Sequence, residues 1–164
     1  MTTMRIACSC GKVECQATGT PIVTTVCHCD DCQRGARLIE MLPGAAPVAE
    51  RDGGTAYVLY RRDRFTCTKG AEWLRDMRLQ AESPTKRVVA GCCNSAMYAD
   101  FEKGHWISAY RRRVQGAAPP IQMHIQTRFR PKPGPLATDP PSYRTFPPSF
   151  LFKLLFTRVA MFFS

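Results

Sequence analysis

Three cysteines lie within a six-residue stretch, CHCDDC, as Cys27, Cys29 and Cys32. On an extended strand, side chains two positions apart project from the same face, so Cys27 and Cys29 point together. The two aspartates that follow allow the chain to turn, which returns Cys32 to the same place. Three thiolates arranged in this way suit the tetrahedral preference of Zn²⁺ and its sulfur bonds of about 2.3 Å. Because three protein ligands leave one position free, the pattern predicts a zinc site of the open, catalytic type.

Other interpretations of the same stretch stay open. Cys29 and Cys32 form a Cys-x-x-C pair, which in redox proteins usually opens a helix after a strand. The three cysteines could also be unrelated residues of a buried core. On a strand His28 points away from its cysteine neighbours, so we do not expect it to be a fourth ligand. Together with Gln33 it could instead form hydrogen bonds around the site.

A second set of thiols is spread along the chain. Cys8 and Cys10 repeat the two-residue spacing in CSCG, and Cys92 and Cys93 are adjacent in GCC. Together these cysteines predict a second zinc site, of the structural type. Adjacent residues on a strand face opposite ways, so we expect only one of Cys92 and Cys93 to join this site unless a turn intervenes.

The elements that must position these thiols are short strands separated by turns. A segment rich in β-branched residues, PIVTTVC (21–27), predicts a strand that ends at Cys27. The clearest strand is predicted at 121–129, IQMHIQTRF, where apolar and polar residues alternate with a period of two. A short helical turn is expected after Cys32. Since strands and helices do not alternate regularly, the sequence predicts a mainly β fold with few short helices.

The C-terminal part of the chain differs in composition. Residues 131–149 contain seven prolines and predict an extended connector after a domain at residues 1–130. Residues 150–164 contain 11 apolar side chains and predict a helix with only a narrow polar stripe. Such a helix, about 22 Å long, is too short to cross a hydrocarbon core of about 30 Å. It could pack on the domain, form a dimer contact or lie on a membrane surface.

Positive charge is concentrated in the same part of the chain. The net charge is +10, and residues 103–164 contribute ten basic residues against one acidic residue. This charge favours anionic partners, such as a small acidic substrate or an anionic membrane surface. The basic stretch YRRR (110–113) matches no nucleic-acid-binding motif, so no specific nucleic acid is expected.

Composition and the N-terminal sequence predict a cytoplasmic protein. No run of 18 apolar residues is present, and MTTMRIACSC lacks the features of a secretory signal. Because the cytoplasm is reducing, nine cysteines indicate metal binding or catalysis before disulfide bonds.

The order of the cysteine motifs resembles a known family. A CxCG strand, then CHCxxCQ, then a later cysteine pair before a short strand is similar to the glutathione-dependent formaldehyde-activating enzymes, a family also known from centromere protein V. The resemblance covers roughly residues 4–130. It implies a β-tent fold, in which short antiparallel strands surround zinc–cysteine sites, and it implies carbon–sulfur lyase chemistry.

The resemblance also implies which residues hold zinc. The CHCxxC motif, here Cys27, Cys29 and Cys32, would hold the catalytic-type ion. The CxCG motif, here with Cys8 and Cys10, would hold the structural ion together with the later pair. The later motif departs from the family pattern. Ala90 stands where its first cysteine belongs, and Cys93 falls on the second. Either Cys92 supplies the missing ligand, or the structural zinc site is incomplete or absent.

An open zinc site would bind an incoming thiol and lower its pKa, which creates a thiolate nucleophile. Addition of glutathione to formaldehyde, the reaction that the resemblance implies, yields S-(hydroxymethyl)glutathione. The polar face of the strand predicted at 121–129 and the residues after it carry His124, Arg128 and Arg130. We predict that these residues bind substrate carboxylates; the alternative is a strand face turned to solvent.

Two functions therefore compete. The first is a zinc-dependent carbon–sulfur lyase that acts on a glutathione-like thiol adduct. The second is a non-catalytic zinc-binding module that docks to an anionic partner, whether protein, membrane surface or nucleic acid. Structural zinc alone stabilises small domains by on the order of 10 kcal/mol, which would justify the ligands without catalysis. The lyase requires an open zinc site beside a pocket with basic groups, and the module requires neither.

Overall fold

The computed structural model describes residues 2–131, 134–136 and 138–163. Within these residues, ten strands form two sheets and are accompanied by two α-helices and short 3₁₀ turns. The prediction of a mainly β fold with few helices is confirmed. The strands are β1 (Thr3–Ala7), β2 (Glu14–Thr18), β3 (Val23–Cys27), β4 (Thr55–Arg61), β5 (Phe65–Lys69), β6 (Leu74–Met77), β7 (Thr85–Ala90), β8 (Ser95–Phe101), β9 (Trp106–Tyr110) and β10 (Met123–Ile125); the helices are α1 (Asp30–Glu40) and α2 (Pro148–Ala160).

The small sheet has the order β1-β2-β5, and the large sheet has the order β10-β3-β4-β9-β8-β7-β6. All the pairs are antiparallel except β10 with β3, which is parallel. The large sheet lies between the small sheet and the helices. Its strand β4 reads TAYVLYR and is buried over its first six residues, as expected for a strand that is covered on both faces.

Two hydrophobic clusters correspond to the two faces of β4. Tyr57 and Leu59 pack with residues of α1 and α2, including Ile39 and Leu154. Val58, between them, belongs to the second cluster, with residues of the small sheet. Alternate side chains of a strand point to opposite faces, so each face of the large sheet has its own core.

Strand β10 is much shorter than the strand predicted at 121–129. It ends at Ile125 because Gln126 adopts a left-handed conformation, with φ of 56°, and a 3₁₀ turn follows at Thr127–Phe129. The outer edge of β10 is covered by the proline-rich segment, since Pro141 and Tyr143 exchange backbone hydrogen bonds with His124. Part of the predicted connector therefore packs on the domain. Residues 132, 133 and 137 of that prediction lie outside the described residues.

Helix α2 begins at Pro148, before the predicted residue 150, and ends at Ala160; Ser164 lies outside the described residues. Proline is favoured in the first turn of a helix, where its missing N–H costs nothing. Phe150 and Leu154 are buried against the domain, whereas Phe152 and Phe156 remain 67% and 76% exposed. Within the described ranges, no helix has the length and apolar character needed to cross a membrane.

Candidate active site and metal centres

The three cysteines of CHCDDC meet where β3 passes into α1. Cys27 is the last residue of β3, Cys29 is the N-cap of α1, and Cys32 lies in the first turn of the helix. The sulfur of Cys29 accepts a hydrogen bond of 3.4 Å from the backbone N–H of Cys32. All three sulfur atoms lie within 4.8 Å of one another. A tetrahedral ion with sulfur bonds of about 2.3 Å needs sulfurs about 3.8 Å apart, so this cluster could hold zinc.

The cluster stabilises one thiolate, at Cys29. Hydrogen bonds with Cys27 and Cys32 lower the pKa of the Cys29 thiol to about 3. The corresponding bonds to Cys29 and Cys32 raise the pKa of Cys27 well above its usual value. The positive charge of Arg87 also lowers the pKa of Cys29. A set of sulfurs that already stabilises a thiolate is suited to receive a cation.

A cavity of about 400 Å³ opens beside these sulfurs. Its walls are mostly apolar and include Tyr57 and Leu59 from β4, Trp106 from β9, and Phe150 and Leu154 from α2. The C-terminal helix therefore forms part of the site wall. The described lining includes the three cysteines and a single charged side chain, Arg87.

Arg87 is 4% exposed and has unused hydrogen-bonding capacity. Its Nη2 donates to the backbone carbonyl of Asp31 at 2.6 Å. Its Nε and Nη1 have no hydrogen-bond partner among the described residues. The side chain lies tightly over α1 at Gly35, where an added Cβ would be 1.9 Å from Nε. A buried guanidinium with free donors beside a cavity has the chemistry to bind a carboxylate.

Arg87 was not among the residues predicted to bind substrate. One signal was available in the sequence, since Arg87 precedes the apolar run VVA, and alternation along a strand places it on the same face as Val89. That face proves to be buried. The sequence does not show that α1 and the cysteines lie against it.

The three residues predicted to bind carboxylates lie apart from the large cavity. Ile125 pairs with Cys27 in the parallel β10–β3 register, and both line the large cavity. His124, one residue earlier, therefore faces the other side, and with Arg130 it lines a separate cavity of about 140 Å³. Arg128 is exposed and lies over the ring of Phe129. Of the basic side chains considered, Arg87 is the one at the cysteines.

The second cysteine cluster contains four sulfurs. Cys8 is 3.6 Å from Cys10, and Cys92 is 3.8 Å and 3.4 Å from these two, respectively. The sulfurs of Cys92 and Cys93 are 3.9 Å apart. These separations match the sulfur spacing of about 3.8 Å around a tetrahedral zinc ion. The cluster therefore has the ligand number of a closed, structural site.

A turn allows both adjacent cysteines to join this cluster. Strand β7 ends at Ala90, and residues 91–94 form the turn to β8, in which Asn94 has a φ of 54°. Adjacent residues face opposite ways only on a strand, and Cys92 and Cys93 lie in a turn. Burial would raise the pKa of Cys93, but hydrogen bonds with the Ser95 hydroxyl and the Cys10 backbone lower it to about 5.

Comparison with known proteins agrees with the N-terminal motifs. Residues 3–45 match the sequence profile of a family described as glutathione-dependent formaldehyde-activating enzyme. This segment contains the CxCG and CHCxxC motifs, so the resemblance is confirmed over these residues. The known members of the matched family are glutathione-dependent formaldehyde-activating enzymes.

Solved structures support the fold. A crystal structure of a Rhodobacter sphaeroides protein from the Northeast Structural Genomics effort matches with a TM-score of 0.50 and 18% sequence identity. The match covers 71% of this chain and 92% of that chain. At this identity, the likeness shows a shared fold. No curated protein matches the sequence of the chain.

Proposed function

We propose that the protein is a zinc-dependent carbon–sulfur lyase that forms or cleaves the adduct between a thiol and an aldehyde. The observation that carries the proposal is the cavity of about 400 Å³, in which three clustered cysteines and one buried arginine face the same space. The family matched by residues 3–45 supports the same reaction class. A purely structural zinc site would need neither the cavity nor the arginine.

The ligands of the proposed zinc site are Cys27, Cys29 and Cys32. Zinc bound there would have a free position for the substrate sulfur and would lower the pKa of the substrate thiol. In the synthetic direction, the thiol sulfur loses its proton and forms a bond to the carbonyl carbon. The carbonyl π bond breaks, and the former carbonyl oxygen gains a proton. In the reverse direction the same carbon–sulfur bond breaks.

Residues of the cavity wall would bind and orient the adduct. The free donors of Arg87 would hold one carboxylate of the thiol in a charge-assisted contact. Tyr57 also lines the cavity, and its hydroxyl donates to the Cys32 sulfur at 3.8 Å. Burial raises the pKa of Tyr57 well above its usual value, so the hydroxyl keeps its proton and its single O–H bond helps to orient the Cys32 sulfur. The aromatic walls would exclude water from the adduct.

The composition of the wall limits the choice of thiol. Glutathione has two carboxylates and an ammonium group, whereas the described wall offers one charged side chain and mostly apolar surface. We propose that one substrate carboxylate binds Arg87 while an apolar group fills the rest of the cavity. A glutathione adduct would leave its second carboxylate at the mouth. An aryl thiol with one carboxylate is the better match.

The test uses the zinc-loaded full chain and measures interconversion of thiol, formaldehyde and adduct by NMR exchange spectroscopy. The expected result is exchange faster than the uncatalysed rate, with the aryl thiol carboxylate preferred to glutathione. Cys29→Ser should return exchange to the uncatalysed rate, while Cys67→Ser, a matched control outside both clusters, should retain it. Uncatalysed rates with the wild type, or full activity of a folded Cys29→Ser variant, would overturn the proposal.

A second candidate function rests on the outer face of α2. Phe152 and Phe156 are exposed and lie one helical turn apart, and Lys153 and Arg158 lie on the same helix. We propose that this face associates with an anionic membrane surface, because apolar side chains flanked by basic ones suit the headgroup boundary. The face is separate from Phe150 and Leu154, which contact the cavity.

Sedimentation with anionic and with neutral vesicles tests the membrane proposal. The wild type should sediment with anionic vesicles, and Phe152→Ser/Phe156→Ser should stay in solution. The matched control Phe162→Ser changes an exposed phenylalanine beyond α2 and should have a smaller effect. Equal sedimentation of wild type and double variant would exclude this use of α2. Burial of the Phe152 and Phe156 face in a dimer, at the protein concentrations used, would also exclude it.

A further inference from the structure

Two histidines and an aspartate converge on the face of β3 that is opposite to the cysteines. The parallel register pairs His124 with Val26, and the backbone N–H of His28 donates to the carbonyl of Ile125 at 3.0 Å. Both imidazoles therefore project from the same side, with ring centroids 5.7 Å apart. Asp52 reaches them from the turn that precedes β4.

We propose that His28, Asp52 and His124 form a third metal site, which takes Zn²⁺ or another divalent ion that accepts tetrahedral nitrogen and oxygen ligands. The site is separate from both cysteine clusters. Two imidazoles and one carboxylate are a ligand set found at zinc sites that keep an open position.

The distances favour ligation over direct hydrogen bonding. His28 Nε2 is 3.4 Å from Asp52 Oδ2 and 3.4 Å from His124 Nδ1, and His124 Nδ1 is 3.8 Å from Asp52 Oδ2. Hydrogen bonds from nitrogen to oxygen are usually about 2.7–3.2 Å long. Around a tetrahedral ion with bonds of about 2.0–2.1 Å, ligand atoms lie about 3.4 Å apart. The three atoms are therefore spaced as if they surrounded a common centre.

The surroundings hold the Asp52 and His28 side chains in place. Asp52 accepts a hydrogen bond from the N–H of Gly54 through Oδ1, at 3.1 Å, which leaves Oδ2 for the histidines. The His28 ring is fully buried and fits against Gly54, where an added Cβ would lie 2.7 Å from Cε1. A side chain at position 54 would displace the ring.

A small cavity of about 140 Å³ is lined by all three residues and by Arg130, and a fourth ligand of the metal ion would occupy it. Arg130 has a buried Nε with no hydrogen-bond partner in the described part of the chain. An oxyanion could therefore bind the ion and contact the guanidinium together, as carboxylates and phosphates do at mixed metal–arginine sites. The proposed exogenous ligand is a small oxyanion.

Counting metal ions on the full chain tests the proposal. Native mass spectrometry with zinc should show three ions per wild-type chain and two for His124→Gln. The matched control is His105→Gln, which changes the remaining histidine of the chain and should keep three. Asp52→Asn preserves the side-chain size and should also lose one ion, so the result does not depend on the folding of one variant.

Cobalt spectra assign the lost ion. Co²⁺ bound to cysteine gives sulfur-to-metal charge-transfer bands, whereas Co²⁺ at nitrogen and oxygen ligands does not. The third equivalent should add d–d absorption without charge-transfer absorption, and His124→Gln should lose only that contribution. A wild type that holds two ions in excess zinc, or a His124→Gln variant that holds three, would overturn the proposal. Neither result would bear on the lyase proposal, which depends on the cysteines.

Discussion

The two cysteine clusters use the same ligand atom in different places. The four-cysteine cluster joins the turn after β1, with Cys8 and Cys10, to the turn after β7, with Cys92 and Cys93. It therefore connects the small sheet to the large sheet. The three-cysteine cluster spans only residues 27–32 and opens onto the large cavity. Under the proposed function, the closed, long-range set of ligands would serve stability and the open, local set would serve chemistry.

Removal of the closed site should have the largest effect on stability. Cys8→Ser/Cys10→Ser would leave the turns of the two sheets unconnected, and the loss of a structural zinc should remove stability on the order of 10 kcal/mol. For a domain of this size that corresponds to a fall in melting temperature of roughly 20 °C or more. Thermal unfolding of zinc-loaded protein measures it. Cys15→Ser is not a suitable control because Cys15 is fully buried. Cys67→Ser is the suitable control because Cys67 is partly exposed. A double variant as stable as Cys67→Ser would refute a stabilising role for this cluster.

Removal of the open site should separate activity from stability. Cys29→Ser takes one ligand from a set that is contiguous in sequence, so we expect a smaller fall in melting temperature than for the double variant. Adduct exchange should fall by about 100-fold or more, because the substrate sulfur would lose its metal. The division of roles is tested by the ratio of lost activity to lost melting temperature, compared between Cys29→Ser and Cys8→Ser/Cys10→Ser. Equal losses of stability in both would contradict it.

Arg87 provides a finer test of the open site. Arg87→Gln should raise the KM of a carboxylate-bearing thiol by about 10-fold to 100-fold, since a charge-assisted hydrogen bond contributes about 1.5–3 kcal/mol. The effect should be much smaller for a thiol without a carboxylate. Arg128→Gln, at an exposed arginine, is the control and should leave KM unchanged. If Arg87→Gln affected both thiols equally, its role would be limited to packing or to the thiolate charge.

The smallest expected effect concerns how α2 is held over the cavity. His105 Nε2 bonds the backbone carbonyl of Leu154 at 2.8 Å. Burial lowers the pKa of His105, and the charges of Arg158 and Arg62 lower it further, against the opposing effect of the Leu154 carbonyl. Because the folded-state pKa lies below the unfolded value of about 6.5, stability is full above that pH and declines as the pH falls through the interval between them.

Melting temperatures of wild type and His105→Gln at several pH values check this dependence. The difference between the two proteins should be constant above pH about 6.5 and should shrink below it, by about 1–2 °C. The subtraction removes the titration of other groups that the two proteins share. A difference that stays constant down to pH 5 would show that His105 does not control the docking of α2.

Local spacing allowed some parts of the site to be predicted. Cys27, Cys29 and Cys32 converge as their spacing indicated, because a strand end and a first helical turn are both determined by nearby residues. The apolar C-terminal helix was also visible from composition. The four-cysteine cluster was only partly predictable, because the turn at 91–94 depends on the left-handed Asn94 and on where β7 ends.

Long-range contacts account for the parts of the site that the sequence did not predict. The position of Arg87 depends on α1 packing over β7, which its own neighbours in the sequence do not indicate. The side to which His124 points depends on the parallel register between β10 and β3. A shift of that register by one residue would have placed His124 beside the cysteines, as the sequence pattern had predicted.

Cadmium NMR tests the central contrast between the open and closed sites most directly. Cadmium bound to sulfur resonates apart from cadmium bound to nitrogen and oxygen, so the two cysteine clusters should give two distinct signals in the sulfur range. Cys32→Ser identifies the signal of the three-cysteine site. Addition of the aryl thiol carboxylate should move that signal and leave the other in place. Movement of both signals, or of neither, would contradict the account.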